Sequence, residues 1–176
     1  MRALLLLLFL AGCSTPYFHD AGTAPEPARF SLDSWPHREL WTGVVFNGDK
    51  VGFTRRQVRA AGELWEIESE AVMRLQFLGV DKRIRLRSLD RVRSDLTLEA
   101  FSYEHEIDGN QLFVSGSVQG GELVYRVQAS GSEEQKQVAL EGRVYPTSAL
   151  AFLPPKDLKV GASARYDVFH GETQSI

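Results

Sequence analysis

The stretch WEIESEAVMRLQFLGVDKRIRLRSLDRVR, residues 65–93, decides the fold. Trp65, Ile67, Ser69, Ala71, Met73, Leu75 and Phe77 alternate with Glu66, Glu68, Glu70, Val72, Arg74 and Gln76. Successive side chains of an extended strand point to opposite faces, so this period of two reads as one long strand with a buried face. Past Leu78-Gly79-Val80-Asp81, Ile84 and Leu86 continue that face, while Arg83, Arg85 and Arg87 take the other. Gly79 at the first central position of a two-residue turn sets Met73 opposite Leu86, Leu75 opposite Ile84, and Glu66 opposite Arg93. In that register Arg74, Arg83, Arg85 and Arg87 have no acid beside them. They form a candidate surface for acidic groups such as lipid headgroups or cell-wall carboxylates, although a solvated outer face explains the same ladder.

Working outward, Asn47-Gly48 separates two apolar segments in LWTGVVFNGDKVGF. That dipeptide is a strong hairpin signal, because both central residues of a type I′ turn require positive φ. Downstream, Leu96–Ile107 ends at Asp108-Gly109-Asn110, and Gln111–Gln119 ends at Gly120-Gly121. Leu123, Tyr125, Val127 and Ala129 alternate, as do Val138, Leu140, Gly142 and Val144. The segment 146–155 (PTSALAFLPP) interrupts the strands, with a single helical turn expected over Ser148–Leu153, and a last strand is expected over Ala164–Phe169. No long stretch has helical spacing. The expected fold is all-β and mainly antiparallel, with little helix. Its sheet of about eight to nine strands is curved or partly closed, half-barrel or barrel-like.

The chain opens MRALLLLLFLAGC, with Arg2 ahead of an apolar run from Ala3 to Ala11. A charged start, a short apolar core and small residues before a cut are the layout of a secretory signal. The run is shorter than the ~20 residues of a membrane-spanning helix. Leu10-Ala11-Gly12-Cys13 resembles the lipobox of bacterial lipoprotein precursors, in which the cysteine is lipidated and becomes the new N-terminus. The resemblance implies a signal peptide over 1–12 and a lipidated Cys13. With Ser14 next, it also implies an outer-membrane location in the cell envelope, facing the periplasm. Residues 14–38, with Pro25, Pro27 and Pro36, read as a flexible tether on which Phe30, Leu32 and Trp35 could dock back. A single β-domain is expected over 39–176.

Without Arg2 the chain has 19 basic and 23 acidic side chains, a net charge of −4. No basic footprint for nucleic acid is present. Cys13 is the sole cysteine, so no intramolecular disulfide can form. His19, His37, His105 and His170 lack metal-ligand spacing, and neither a metal nor another cofactor is expected. His105 shares a strand face with Phe101, Tyr103 and Ile107 and reads as a core-edge residue. No nucleophile elbow, phosphate loop or zinc-protease motif occurs, so no catalytic residue is expected.

Two segments carry a further resemblance. WTGVVFNGDKVGF (41–53) with IESEAVMRL (67–75), and LKVGASARYDVF (158–169), are similar to the N-terminal β-domain of exported transglutaminase-like proteins. Those enzymes use a Cys-His-Asp arrangement. The only cysteine here is claimed by the lipobox, so the resemblance implies the non-catalytic domain alone. It also implies further strands beyond Ile176, hence an enzyme fragment as one alternative. A weaker resemblance is to periplasmic half-barrels that carry lipoproteins or sense lipids. It implies an apolar concave groove lined by Trp65, Ile67, Met73, Leu75, Phe77, Ile84 and Leu86, residues that a buried core would equally explain. Three functions remain open: a membrane-anchored, non-catalytic module binding an envelope protein, lipid or cell-wall partner; a lipid or lipoprotein carrier; and a fragment of a transglutaminase-like enzyme.

Overall fold

The structure, a computed structural model, describes Trp35 and residues 37–77, 79–153 and 165–176, with the side chain of Phe77 excepted. The expected signal, Cys13 and most of the expected tether, including Phe30 and Leu32, lie outside the described residues. Eight strands form one antiparallel meander in chain order. They are β1 (Glu39–Phe46), β2 (Asp49–Ala61), β3 (Leu64–Phe77), β4 (Val80–Val92), β5 (Leu98–Ile107), β6 (Asn110–Gln119), β7 (Glu122–Ala129) and β8 (Ser132–Ala139). β1 and β8 do not pair with each other, so the sheet stays open rather than closing into a barrel. The fold is all-β and mainly antiparallel with little helix, as expected.

Local chemistry explains the meander. Asn47 and Gly48 adopt φ of 51° and 90°, the pair of positive values a type I′ hairpin needs. The β3–β4 register differs from the expected one by two residues. Phe77 pairs with Val80, Met73 with Ile84, and Glu66 with Arg91. The turn therefore places Gly79, at φ 80°, second rather than first. A slip of two keeps every side chain on its face, so the inward and outward sets survive the correction.

The alternation over Val138–Val144 does not form one strand. β8 stops at Ala139, and the chain turns back over one face of the sheet as β9 (Val144–Pro146). A 3-10 turn (Thr147–Ala151) follows, and β10 (Asp167–Phe169) pairs parallel with β9. Val144 and Phe169 pack on Phe101, Tyr103, Val114, Leu123, Tyr125 and Val127 in one core cluster. Tyr145, Ala149 and Leu153 pack on Val58, Ile67, Val92 and Leu96 in the other. Phe169, 1% exposed, sits with its ring 4.8 Å from that of Phe101 and 5.4 Å from that of Tyr125. Trp35 meets Phe152 edge-on at 4.3 Å, so the chain ahead of β1 touches the domain at that residue. One face of the sheet is thus covered over part of its length, and the other bears most of the charged residues.

Candidate functional site

Strand pairing arranges the covered face in rows that run across the sheet. Val58, Ile67, Asp90 and Phe101 form the row under the returning chain. The next row is Leu40, Arg56, Ser69, Ser88 and Tyr103, followed by Thr42, Thr54, Ala71, Leu86 and His105. These two rows floor a cavity of about 490 Å³ that Thr147, Ser148 and residues 170–173 wall on its other side. The floor is rich in hydroxyls because β1, β2 and β3 contribute Thr and Ser where the core rows have Val and Ile.

Arg55, Arg56 and Arg87 border the cavity; Arg55 is paired with Glu39 and Arg87 with Glu70, which leaves Arg56 as the cation of the site. It is half-buried, and its guanidinium carbon lies 6.0 Å from the centre of the Phe152 ring. Its Nε is buried with no hydrogen-bond partner among the described residues, and so is the Ser69 hydroxyl in the same row. Burial lowers the pKa of Arg56, and no carboxylate offsets it. The acids bordering the cavity are Asp90, Glu172 and Glu70, the last paired with Arg87, and among the described residues none is in ion-pair contact with Arg56. Both oxygens of Asp90 are already engaged: Tyr103 donates its hydroxyl at 2.8 Å and Ser148 donates its own at 2.6 Å. Burial dominates over these two bonds and raises the Asp90 pKa to about 6. Burial, with the neighbouring carboxylate, pushes the Tyr103 phenol upward as well.

Gly171 fixes the wall against the floor. A Cβ there would stand 1.8 Å from the Tyr103 ring, so only glycine allows the backbone to approach. His170 anchors the same loop: its N–H donates to Ser175 O at 2.8 Å and its carbonyl accepts from Gln174 N. His105 lines the cavity floor, half-buried between Leu86 and Leu112 in the row. Among the described residues no group of three or more His, Cys, Asp or Glu could hold a metal ion.

The residues expected from sequence fall in three places. Trp65 and Ile67 lie in the filled core, Ile67 with no exposed surface. Met73, Leu75, Ile84 and Leu86 are on the same face but outside both core clusters, and half-buried. The Phe77 side chain is outside the described residues. The expected groove is therefore divided: among the described residues, the returning chain fills one end and does not reach the other.

The arginine ladder stands on the opposite, charged face, and it is not free of acids. Arg74 forms a two-pronged pair with Asp81 at 2.9 and 2.6 Å. Arg87 meets Glu70 at 3.3 Å and Glu104 at 3.9 Å. The corrected register brings Glu70 opposite Arg87. Arg83 and Arg85 have no carboxylate at ion-pair distance among the described residues.

Arg56, Asp90, Tyr103, Ser148 and Gly171 escaped the sequence reading. Asp90 left a signal, since it follows Ile84, Leu86 and Ser88 on an inward-facing run. Arg56 left none, because both faces of β2 carry arginines and neither is apolar throughout. No family model matches the chain, and neither a curated protein nor a solved structure matches it.

Proposed function

We propose that this protein is a bacterial envelope lipoprotein, held at the membrane through Cys13, whose β-domain is a non-catalytic binding module. Its binding site is the cavity floored by Arg56, and the group it takes there is an anion. The observation that carries this reading is Arg56 itself: a half-buried guanidinium whose Nε is shut away from solvent and has no acceptor among the described residues. Leaving a buried donor unmet costs about 1–3 kcal/mol, which an entering anion relieves. Arginine also presents its donors in a planar fork suited to a carboxylate or phosphate. The hydroxyls of Ser69 and Thr54 supply neutral donors beside it. Attachment to a membrane surface fits such a module, because several acyl chains at ~0.8 kcal/mol per buried methylene hold a domain there durably.

A ligand that binds only the folded state raises stability by about 2.7 kcal/mol when present at a hundred times its dissociation constant. Thermal unfolding in rising phosphate or acetate, at constant ionic strength, therefore tests the site. The melting temperature of the wild type is expected to rise and that of Arg56→Gln to stay level. Equal responses in both proteins would overturn the assignment of Arg56.

A further inference from the structure

Beyond the cavity floor, the next row across the sheet is Val44, Gly52, Met73, Ile84 and Ile107. It carries no polar side chain. None of these residues belongs to either core cluster, and Ile107 is 44% exposed. Leu75 extends the strip one step further along β3, and Ala71 and Leu86 join it to the cavity. The returning chain covers the sheet from its Trp65 end as far as the cavity, so this apolar strip begins where the charged pocket ends.

Resting on the anion site proposed above, we infer that the ligand is a single-chain anionic lipid of the fatty-acid type. Its carboxylate meets Arg56, and its chain runs along Ala71, Met73 and Leu75 of β3 beside Leu86 and Ile84 of β4. Charge complementarity fixes the polar end: Arg56 has no ion-pair partner among the described residues, whereas Lys82, opposite Leu75 at the far end, is already paired with Asp108. Length agrees. Six residues separate Ser69, beside Arg56, from Leu75, and at ~3.3 Å per residue the track is ~20 Å long. One acyl chain spans about half of the ~30 Å hydrocarbon thickness of a bilayer, so it fits on that track. Gly52 keeps the row flat where it passes Met73: a Cβ there would lie 2.9 Å from Met73 Cγ. A free acid or phosphate would need only the cavity, whereas the strip has a use only for a tail.

Titration calorimetry on the full chain carrying Cys13→Ala, so that no lipid of its own competes, separates the two statements. The probes are sodium myristate, myristyl alcohol, acetate and inorganic phosphate. Myristate is expected to bind at least a hundredfold more tightly than acetate, weakening about fourfold for each two carbons removed from a chain covered on one side. Arg56→Gln is expected to bring myristate to the level of the alcohol. Met73→Asp is expected to weaken myristate at least tenfold while leaving acetate and phosphate unchanged, and Met73→Ser serves if the aspartate variant fails to fold. Acetate or phosphate binding as tightly as myristate would leave the anion site standing and overturn the lipid. The alcohol matching myristate in the unsubstituted chain would overturn the carboxylate contact. Silence from all four probes would overturn both.

Discussion

Asp90 is 1% exposed, and each of its oxygens accepts one hydroxyl donor. Two neutral donors do not replace the hydration of a carboxylate, so the folded protein favours the protonated acid and the pKa rises to about 6. The sign of the pH effect follows. The acid's folded pKa lies above its unfolded value, so its contribution is fully present below about pH 4 and lost as pH rises through about 6. The unfolding free energy of wild type relative to Asp90→Asn is therefore expected to fall between pH 4 and pH 7. The drop should be about 3 kcal/mol, from a shift of about two units at 1.36 kcal/mol each. Chemical denaturation of both proteins at several pH values measures it, and a pH-independent difference would contradict the burial argument. In the sequence, Asp90 announces itself only as an acid on an inward run. That Ser148, far along the chain, closes over it is a property of the tertiary fold.

At the scale of elements, the β3–β4 hairpin shows what periodicity can and cannot specify. Alternation separates the two faces of each strand but leaves registers two residues apart equivalent. Side-chain pairing resolves them. Glu66 is held by Arg59 at 2.6 Å and Arg91 at 2.9 Å, and both arginines lower its pKa. Arg93 turns instead to Glu99 at 2.6 Å. Reversing Glu66→Lys is expected to cost about 1 kcal/mol or slightly more at this partly shielded site. Adding Arg91→Glu should recover about half of that, while Arg93→Glu should recover nothing. Urea unfolding of the single and double variants gives the coupling, and rescue by the residue-93 change would restore the register the turn glycine first suggested. The break after Ala139 was hidden for a similar reason. Val138, Leu140, Gly142 and Val144 keep the alternation across a bend, because an apolar residue is as useful on the returning chain as on the strand it leaves.

For the whole molecule, the eight-strand meander is a platform and the segment from Val144 onward is its partial cover. Phe169 and Tyr145 are the main wedges, driven into the two core clusters. Among the described residues the cover stops short of the Met73 end, and an apolar strip beside the charged cavity lies outside both core clusters. Anchoring belongs to this scale too. If Cys13 bears the lipid, Cys13→Ala should move the protein from the membrane pellet to the soluble fraction and abolish palmitate labelling. Unchanged fractionation would overturn the anchor without touching the cavity. The two proposals therefore stand on separate residues and fall separately.

The sequence by itself determined the strands, the faces of those strands and most of the hairpin turns. These are local properties: side-chain direction repeats every two residues, and dipeptides such as Asn47-Gly48 hold the positive φ their turns require. Only the tertiary structure decided which part of the inward face is core and which is open. It also decided that Arg56 borders a cavity with no ion-pair partner among the described residues, and that Asp90 is sealed beneath Ser148. Those outcomes depend on where the chain recrosses the sheet after Ala139. That path is set by Phe169, Tyr145 and Gly171 meeting β3 to β7 over long sequence separations. A periodic pattern marks a residue as inward. Whether anything covers it there is settled by chain that lies a hundred residues away in some cases and only a few tens in others.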